Sequence, residues 1–262
     1  MLEIYQELEK VISRGERAVL ATIVSSQGST PRKAGAKMLI KEDGTFIGTV
    51  GGGGTEHQIR QRVDEVLRSG QPQMIHFDLS GKDRALKMVC GGQEDVFLEP
   101  IMSPETLYLF GAGHTAQSMA AMGKMLGFCV AVIDPRPDYN NSERFPNADT
   151  LVVEEWENAF SKLNVDENSY VIVHTMGSDI DEQCLEFVAN TKAKYIGMIG
   201  SRRKATVVKE HLMEKGVSPS QLDRLHSPMG LVIGADTPEE IAISILAEII
   251  KIKRTGKKEV TS

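Results

Sequence analysis

A chain of 262 residues, 41% hydrophobic and 25% charged, has the balance of a folded globular protein and is long enough for two domains without metal or disulfide staples. Its net charge of −6 argues against nucleic acid or an anionic membrane surface as partner, because both favour a positive surface field. Cys90, Cys129 and Cys184 are odd in number and lack ligand spacing, so no disulfide framework or structural metal site is expected; without a membrane-length apolar run or a signal-peptide pattern, the expected compartment is the cytoplasm.

From Leu2 to Ile12 the apolar residues fall at helical spacing, and "AVLATIVSS" then reads as a buried strand. "AKMLIKEDGTFIGTV" reads as a hairpin turning at Glu42-Asp43-Gly44. The run Gly51, Gly52, Gly53, Gly54 follows, and Ile59, Val63, Val66 and Leu67 then form one helical face that Gly70 and Pro72 end. Strands are expected near Gln73 to Leu79 and Asp95 to Ile101, flanking a loop with "MVCGG". Pro104 punctuates a boundary, giving expected domains at 1–102 and 103–262.

The second half alternates strand and helix: "TLYLF", a helix to Leu126, "CVAVID", a long loop, "DTLVV", a helix around Trp156, "YVIVHT", a helix from Ser178, and "KYIGMIG". That grammar means a parallel sheet with helices on both faces. A last helix is marked by Thr237 as N-cap, Pro238 at its first position and Glu239-Glu240 in its first turn. The basic stretch Lys251 to Lys258 is expected to complete that helix and fray. The fold class is therefore α/β, a small α+β amino-terminal domain followed by a Rossmann-like doubly wound parallel sheet.

"LYLFGAGHTAQSMA" is a strand, a G-x-G-x-x-A loop over Gly111, Gly113 and Ala116, and a helix, in which glycines and free helix N–H groups suit a pyrophosphate. Asp134 ends the next strand, about 20 residues on, where an acid accepts hydrogen bonds from a ribose hydroxyl. His114 either faces a ligand phosphate or caps the helix start. Ser201, Arg202 and Arg203 open another helix past a strand end and suit an anion. Thr175, Ser178 and Asp179 stand on an equivalent rim, with helix capping as the expected role of Asp179. Cys129 and Cys184 read as inert core thiols.

Three motifs remain in the first half: "GSTPRKAGAKM", "GTVGGGGTEH" and "MVCGG". Each joins backbone freedom to a few polar or reactive groups, as in a site where main-chain N–H groups wrap a ligand rich in heteroatoms, although tight packing is the plain alternative for any one of them. Their order, continued by "FGAGH", "DPRP", "ERFP", "GMIGSRRK" and "SPMGLVIGADTPEEIAISILAEI", resembles the XdhC/CoxI family of accessory proteins for molybdenum hydroxylases over nearly the whole chain. Where members related to carbon monoxide dehydrogenase often carry a cysteine in the second motif, this sequence has Gly54-Thr55, which points to the xanthine dehydrogenase branch.

The resemblance implies a factor that matures xanthine dehydrogenase: it binds the molybdenum cofactor, a molybdopterin, supports its sulfuration and hands it to the apoenzyme. It is a carrier more than a catalyst with its own turnover. On that footing Gly51 to Gly54 cradle the cofactor, Ser29 and Arg32 approach its phosphate, and Glu56 either stabilises the helix dipole or receives a pterin N–H. Cys90, followed by Gly91 and Gly92, touches the cofactor as sulfur ligand or relay. The implied partners are apo xanthine dehydrogenase, a cysteine desulfurase-type sulfurtransferase and, by analogy, a second copy in a homodimer. The competing readings are an NAD(P)-binding oxidoreductase and a dinucleotide-sensing regulatory module, both resting on Gly111 and Asp134. No acid–base pair stands out opposite that loop.

Overall fold

The computed structural model describes residues 1–79, 91–102 and 104–255, so Cys90 lies outside the described residues. The chain divides into two compact units, Met1–Ser103 and Pro104–Ser262.

The first unit is built on an antiparallel sheet of five strands, β1 (Ala18–Gln27), β2 (Lys37–Lys41), β3 (Phe46–Gly48), β4 (Gln73–Asp78) and β5 (Gln93–Ile101), in the order β3-β2-β1-β5-β4. Helix α1 (Leu2–Ser13) lays Ile4 and Val11 against Leu20 and Leu39 on one face. Helix α2 (Gly53–Ser69) covers the other, where Ile59, Val63, Val66 and Leu67 meet Val19, Ala21, Ile23, Val96 and Leu98. Spacings of three and four residues along α2, against alternate residues of β1 and β5, are what one helix stripe and one sheet face require. Gly70 closes α2 in the left-handed conformation at φ 62°. The β1–β5 register slips between Ile23 and Ser25, a bulge that turns the end of β1 toward Gly28.

The second unit carries a six-stranded, all-parallel sheet. Its elements are β6 (Thr106–Phe110), α3 (His114–Met125), β7 (Cys129–Ile133), β8 (Thr150–Val152), α4 (Trp156–Phe160), β9 (Ser169–Val173), α5 (Ser178–Ala189), β10 (Tyr195–Met198), α6 (Arg202–Glu214), α7 (Pro219–Leu222), β11 (Leu225–His226) and α8 (Pro238–Thr255). The order β11-β10-β9-β6-β7-β8 is that of a doubly wound Rossmann sheet, with the winding reversed between β6 and β9. α3 and α8 bury Met119, Ile245 and Ile249 on one face, and α4, α5 and α6 bury Trp156, Cys184, Leu185 and Val208 on the other. The strands are apolar throughout because both faces are covered. At the start of α8 the Thr237 hydroxyl accepts from Glu240 N–H at 3.3 Å while the Glu240 carboxylate accepts from Thr237 N–H at 3.2 Å, the reciprocal cap that the sequence marks.

Two short elements, α7 and β11, have no counterpart in the sequence pattern, because four and two residues are too few to show a period. Among the described residues no helix is long and apolar enough to cross a membrane.

Candidate functional site

The first two glycine motifs of the first unit and the Gly91-Gly92 pair of the third lie against one another. A Cβ placed on Gly92 would lie 2.4 Å from the Ser29 carbonyl oxygen and 2.6 Å from that of Gln27, and one on Gly28 would lie 3.2 Å from the Cα of Gly92. One on Gly51 would lie 3.2 Å from Pro31 Cβ. The "GSTPR" loop thus meets Gly92 backbone to backbone and Gly51 through the Pro31 ring. Gly52 and Gly91, with φ of 80° and 77°, have nothing among the described residues within 4 Å of the Cβ they lack.

Glu56 explains how the glycine run holds its shape. Its side chain is buried, and Oε1 accepts from the Thr49 hydroxyl at 2.6 Å, Gly52 N–H at 3.0 Å and Val50 N–H at 3.3 Å. A carboxylate in the first turn also complements the positive end of α2. The Gly53 and Gly54 amides open the helix, where helical geometry supplies no intrahelical acceptor. Ser29 and Arg32 are exposed on the neighbouring loop, where the Arg32 carbonyl accepts from the Thr30 hydroxyl.

At this junction Glu94 is marked by no motif, and Thr55, within the glycine motif, has no role assigned from sequence. Thr55 is fully buried in the first turn of α2, and Glu94, 1% exposed, sits at an inward position of β5 with Val96 and Leu98. The Thr55 hydroxyl donates to the Glu94 carboxyl, whose Oε2 has no hydrogen-bond partner among the described residues. Burial raises the Glu94 pKa above the ordinary carboxylate value, against the Thr55 hydrogen bond. The signal was present in the alternation of "EDVFL", where Glu94 takes the apolar parity.

In the second unit the G-x-G-x-x-A loop lies at the winding reversal. Gly111, at φ 108°, donates its N–H to the Ile133 carbonyl, and a Cβ there would fall 2.1 Å from the His174 carbonyl oxygen, so the loops after β6 and β9 touch. Gly113 is the N-cap of α3, without a side-chain cap, and His114 is exposed in the first turn. The His174 ring approaches the Gly113 Cβ position at 3.8 Å, and its Nδ1 has no partner among the described residues. Burial lowers the His174 pKa, so a neutral imidazole stands at the reversal.

Asp134 ends β7 buried, and its carboxylate is already engaged. It accepts from Ala112 N–H at 2.9 Å, from Arg136 N–H at 3.0 Å and from the Arg136 guanidinium at 2.6 and 2.8 Å. Burial pushes its pKa up, but these donors more than offset it and the carboxyl is held below its ordinary value. Arg136 and Arg144 both lie over the Tyr139 ring, at 4.2 and 5.3 Å.

Ser201 caps α6 by accepting from Lys204 N–H at 3.2 Å, with Arg202 and Arg203 exposed beside it. Ser178, Asp179, Glu182, Ser201, Arg203 and His211 are among the residues lining a cavity of about 430 Å³ between α5 and α6. Capping at the start of α5 does not fall to Asp179. Its N-cap is Gly177, Asp179 is exposed, and buried Asp181 accepts instead from the Thr175 N–H at 2.9 Å and hydroxyl at 2.6 Å while pairing with Lys204. Cys184 is buried and its thiol pKa is pushed up by burial, whereas Cys129 is half-buried in β7. Among the described residues no three His, Cys, Asp or Glu side chains stand together as metal ligands.

Residues 107–249 match the family described as the XdhC Rossmann domain, and residues 11–78 the XdhC and CoxI family. The chain belongs to the XdhC and CoxI family. It is 35% identical over 258 residues to the uncharacterized protein YqeB of Escherichia coli K12, covering 97% of this chain and 47% of YqeB, so it spans about half of that relative. It is 27% identical to a probable xanthine dehydrogenase subunit of Bacillus subtilis 168, covering 94% of this chain and 96% of that one. With the molybdenum cofactor insertion chaperone PaoD of Escherichia coli K12 it shares 24% identity over 93% of this chain and 86% of PaoD. Among solved structures, a xanthine dehydrogenase from Bacillus halodurans superposes with a TM-score of 0.52 at 25% identity, covering 98% and 97% of the two chains. In this XdhC and CoxI chain the "GSTPR" and "GTVGGGG" loops lie within the matched residues 11–78 and the Gly111 loop within 107–249.

Proposed function

We propose that this chain is an accessory factor of molybdoenzyme maturation that binds the molybdenum cofactor as cargo at the glycine-loop junction of its first unit and hands it to an apo xanthine dehydrogenase. The meeting of "GSTPR", "GTVGGGG" and the Gly91-Gly92 pair is the observation that carries this reading. The names of two relatives, one a cofactor insertion chaperone and the other a part of a xanthine dehydrogenase, support it. Molybdopterin brings a phosphate, a dithiolene and a pterin rich in donors and acceptors. The junction fits such a cargo: among the described residues nothing crowds Gly52 and Gly91, Gly53 and Gly54 offer amides at the helix start, and one buried carboxyl oxygen has no partner.

In this reading Glu56 keeps the glycine run in place and the α2 amides hold the phosphate, with Ser29 and Arg32 at its edge. Bound cargo supplies the molybdenum centre, and the protein supplies shape, hydrogen bonds and shelter from water. Cys90, outside the described residues, is on the sequence argument the thiol that serves sulfuration, with a cysteine desulfurase-type sulfurtransferase as donor and a homodimer as the working form. The test is the molybdenum and oxidised-pterin content of protein purified anaerobically from a molybdate-supplied host. Near-stoichiometric content that Gly52→Asp abolishes is expected; a protein free of both overturns the reading.

A second reading rests on the Rossmann order and Gly111: a nucleotide bound at the β6–β9 reversal, as a dinucleotide sensor or NAD(P)-dependent oxidoreductase. The engagement of Asp134 by Arg136 and Ala112 counts against a ribose contact there. Calorimetric titration with NAD(H) and NADP(H) decides it, and turnover of a substrate with NAD(P)H separates the oxidoreductase from the sensor.

A further inference from the structure

Glu94 stands out because folding alone gives no reason for it. A carboxyl that is 1% exposed, at a strand position shared in parity with Val96 and Leu98, is costly to bury, and among the described residues its Oε2 has no partner. It is held beneath the first turn of α2 by the Thr55 hydroxyl, itself fully buried. Its backbone neighbours on either side are Ser26 of β1, which leads into the "GSTPR" loop, and Phe77 of β4, and it lies two residues from Gly92. Strand pairing and the Thr55 contact thus set the Glu94 carboxyl beside the elements that carry the glycine loops.

We infer that Glu94, positioned by Thr55, is the group of this junction that recognises the hydrogen-bonding edge of a heterocyclic amide, an N–H beside a C=O as in the pyrimidinone ring of a pterin. The inference rests on the cofactor reading above and names the residue that distinguishes pterin from any other phosphate-bearing cargo. A carboxyl group offers one acceptor and, when protonated, one donor in the same plane, which matches such an edge in a two-point contact. Burial favours the protonated form here. The α2 amides suit a phosphate and do not read a ring, so the two ends of the ligand are held by different chemistry.

The test is fluorescence titration of the full chain with neopterin, a free pterin without molybdenum or phosphate, comparing wild type with Glu94→Leu and Glu94→Gln. The wild type is expected to bind, Glu94→Leu to bind about tenfold or more weakly, and Glu94→Gln, whose amide keeps a donor and an acceptor, to fall between them. Thermal unfolding of both variants at or above the wild-type midpoint shows that the loss is not one of folding. Equal neopterin affinity in wild type and Glu94→Leu overturns the inference. So does a wild type that ignores neopterin while purifying with molybdenum and pterin, which leaves the cofactor reading standing. A wild type that neither binds neopterin nor carries cofactor overturns both.

Discussion

Gly92 and Ser29 touch backbone to backbone: a methyl group on Gly92 would sit 2.4 Å from the Ser29 carbonyl oxygen. Neither partner can yield by a side-chain rotation, so the clash must be relieved by moving a loop. Gly92→Ala is expected to cost the first unit about 3 kcal/mol, at the upper end for overpacking, and to separate "GSTPR" from the Gly91-Gly92 pair. Urea denaturation reads the first effect and cofactor content the second. An alanine variant with wild-type stability would show that the two loops are not locked together.

Glu56 serves the loop before it serves any ligand. Three donors, the Thr49 hydroxyl and the amides of Val50 and Gly52, converge on one of its oxygens. Glu56→Ala strands all three and is expected to destabilise by about 2 kcal/mol, while Glu56→Gln, which keeps one oxygen, recovers most of it. If the alanine variant is as stable as wild type, the glycine run does not depend on this carboxylate.

How much of this was legible follows from the range of each interaction. The halves, the helix faces such as Ile59, Val63, Val66 and Leu67, and the Gly111 loop are written in local periodicity and turn chemistry, and the structure has them. The meeting of Gly28, Gly51 and Gly92 is not local, because it depends on β1 and β5 pairing across about 70 residues. Asp134 reads in sequence as a free acid, yet Arg136, two residues on, folds back onto it; a motif gives the position of a group and not its partner. Asp179 and Asp181 differ in the same way, since only the strand-to-helix geometry decides which of them meets Thr175.

Gly111 and Gly113 are alike in the motif and unlike in the structure. At Gly111 a Cβ would lie 2.1 Å from the His174 carbonyl oxygen with φ at 108°, whereas at Gly113, with φ at −74°, the nearest atom is 3.8 Å away. Gly111→Ala is expected to unfold or aggregate the second unit, and Gly113→Ala to cost within about 1 kcal/mol, the effect of alanine at an N-cap. Circular dichroism melts of the two variants side by side check this, and equal melting would contradict the asymmetry.

Glu248 ties the segment before α8 to the sheet. It accepts from the Tyr195 hydroxyl at 2.6 Å and from Gly230 N–H at 2.8 Å, and His226 Nδ1 lies 3.1 Å from its other oxygen. Burial alone would raise its pKa, but His226, Tyr195 and the Gly230 amide outweigh burial and leave it lowered from 4.5. A carboxyl whose folded pKa is depressed contributes stability that is complete above the ordinary carboxylate value and is lost as pH falls through the depressed one. Glu248→Gln is therefore expected to cost about 2 kcal/mol at neutral pH, the worth of hydrogen bonds to a charged group, and progressively less below the ordinary value. Urea midpoints of wild type and variant across that acid range measure the convergence. A difference that stays constant with pH would mean that the side chain acts here through shape and not through charge.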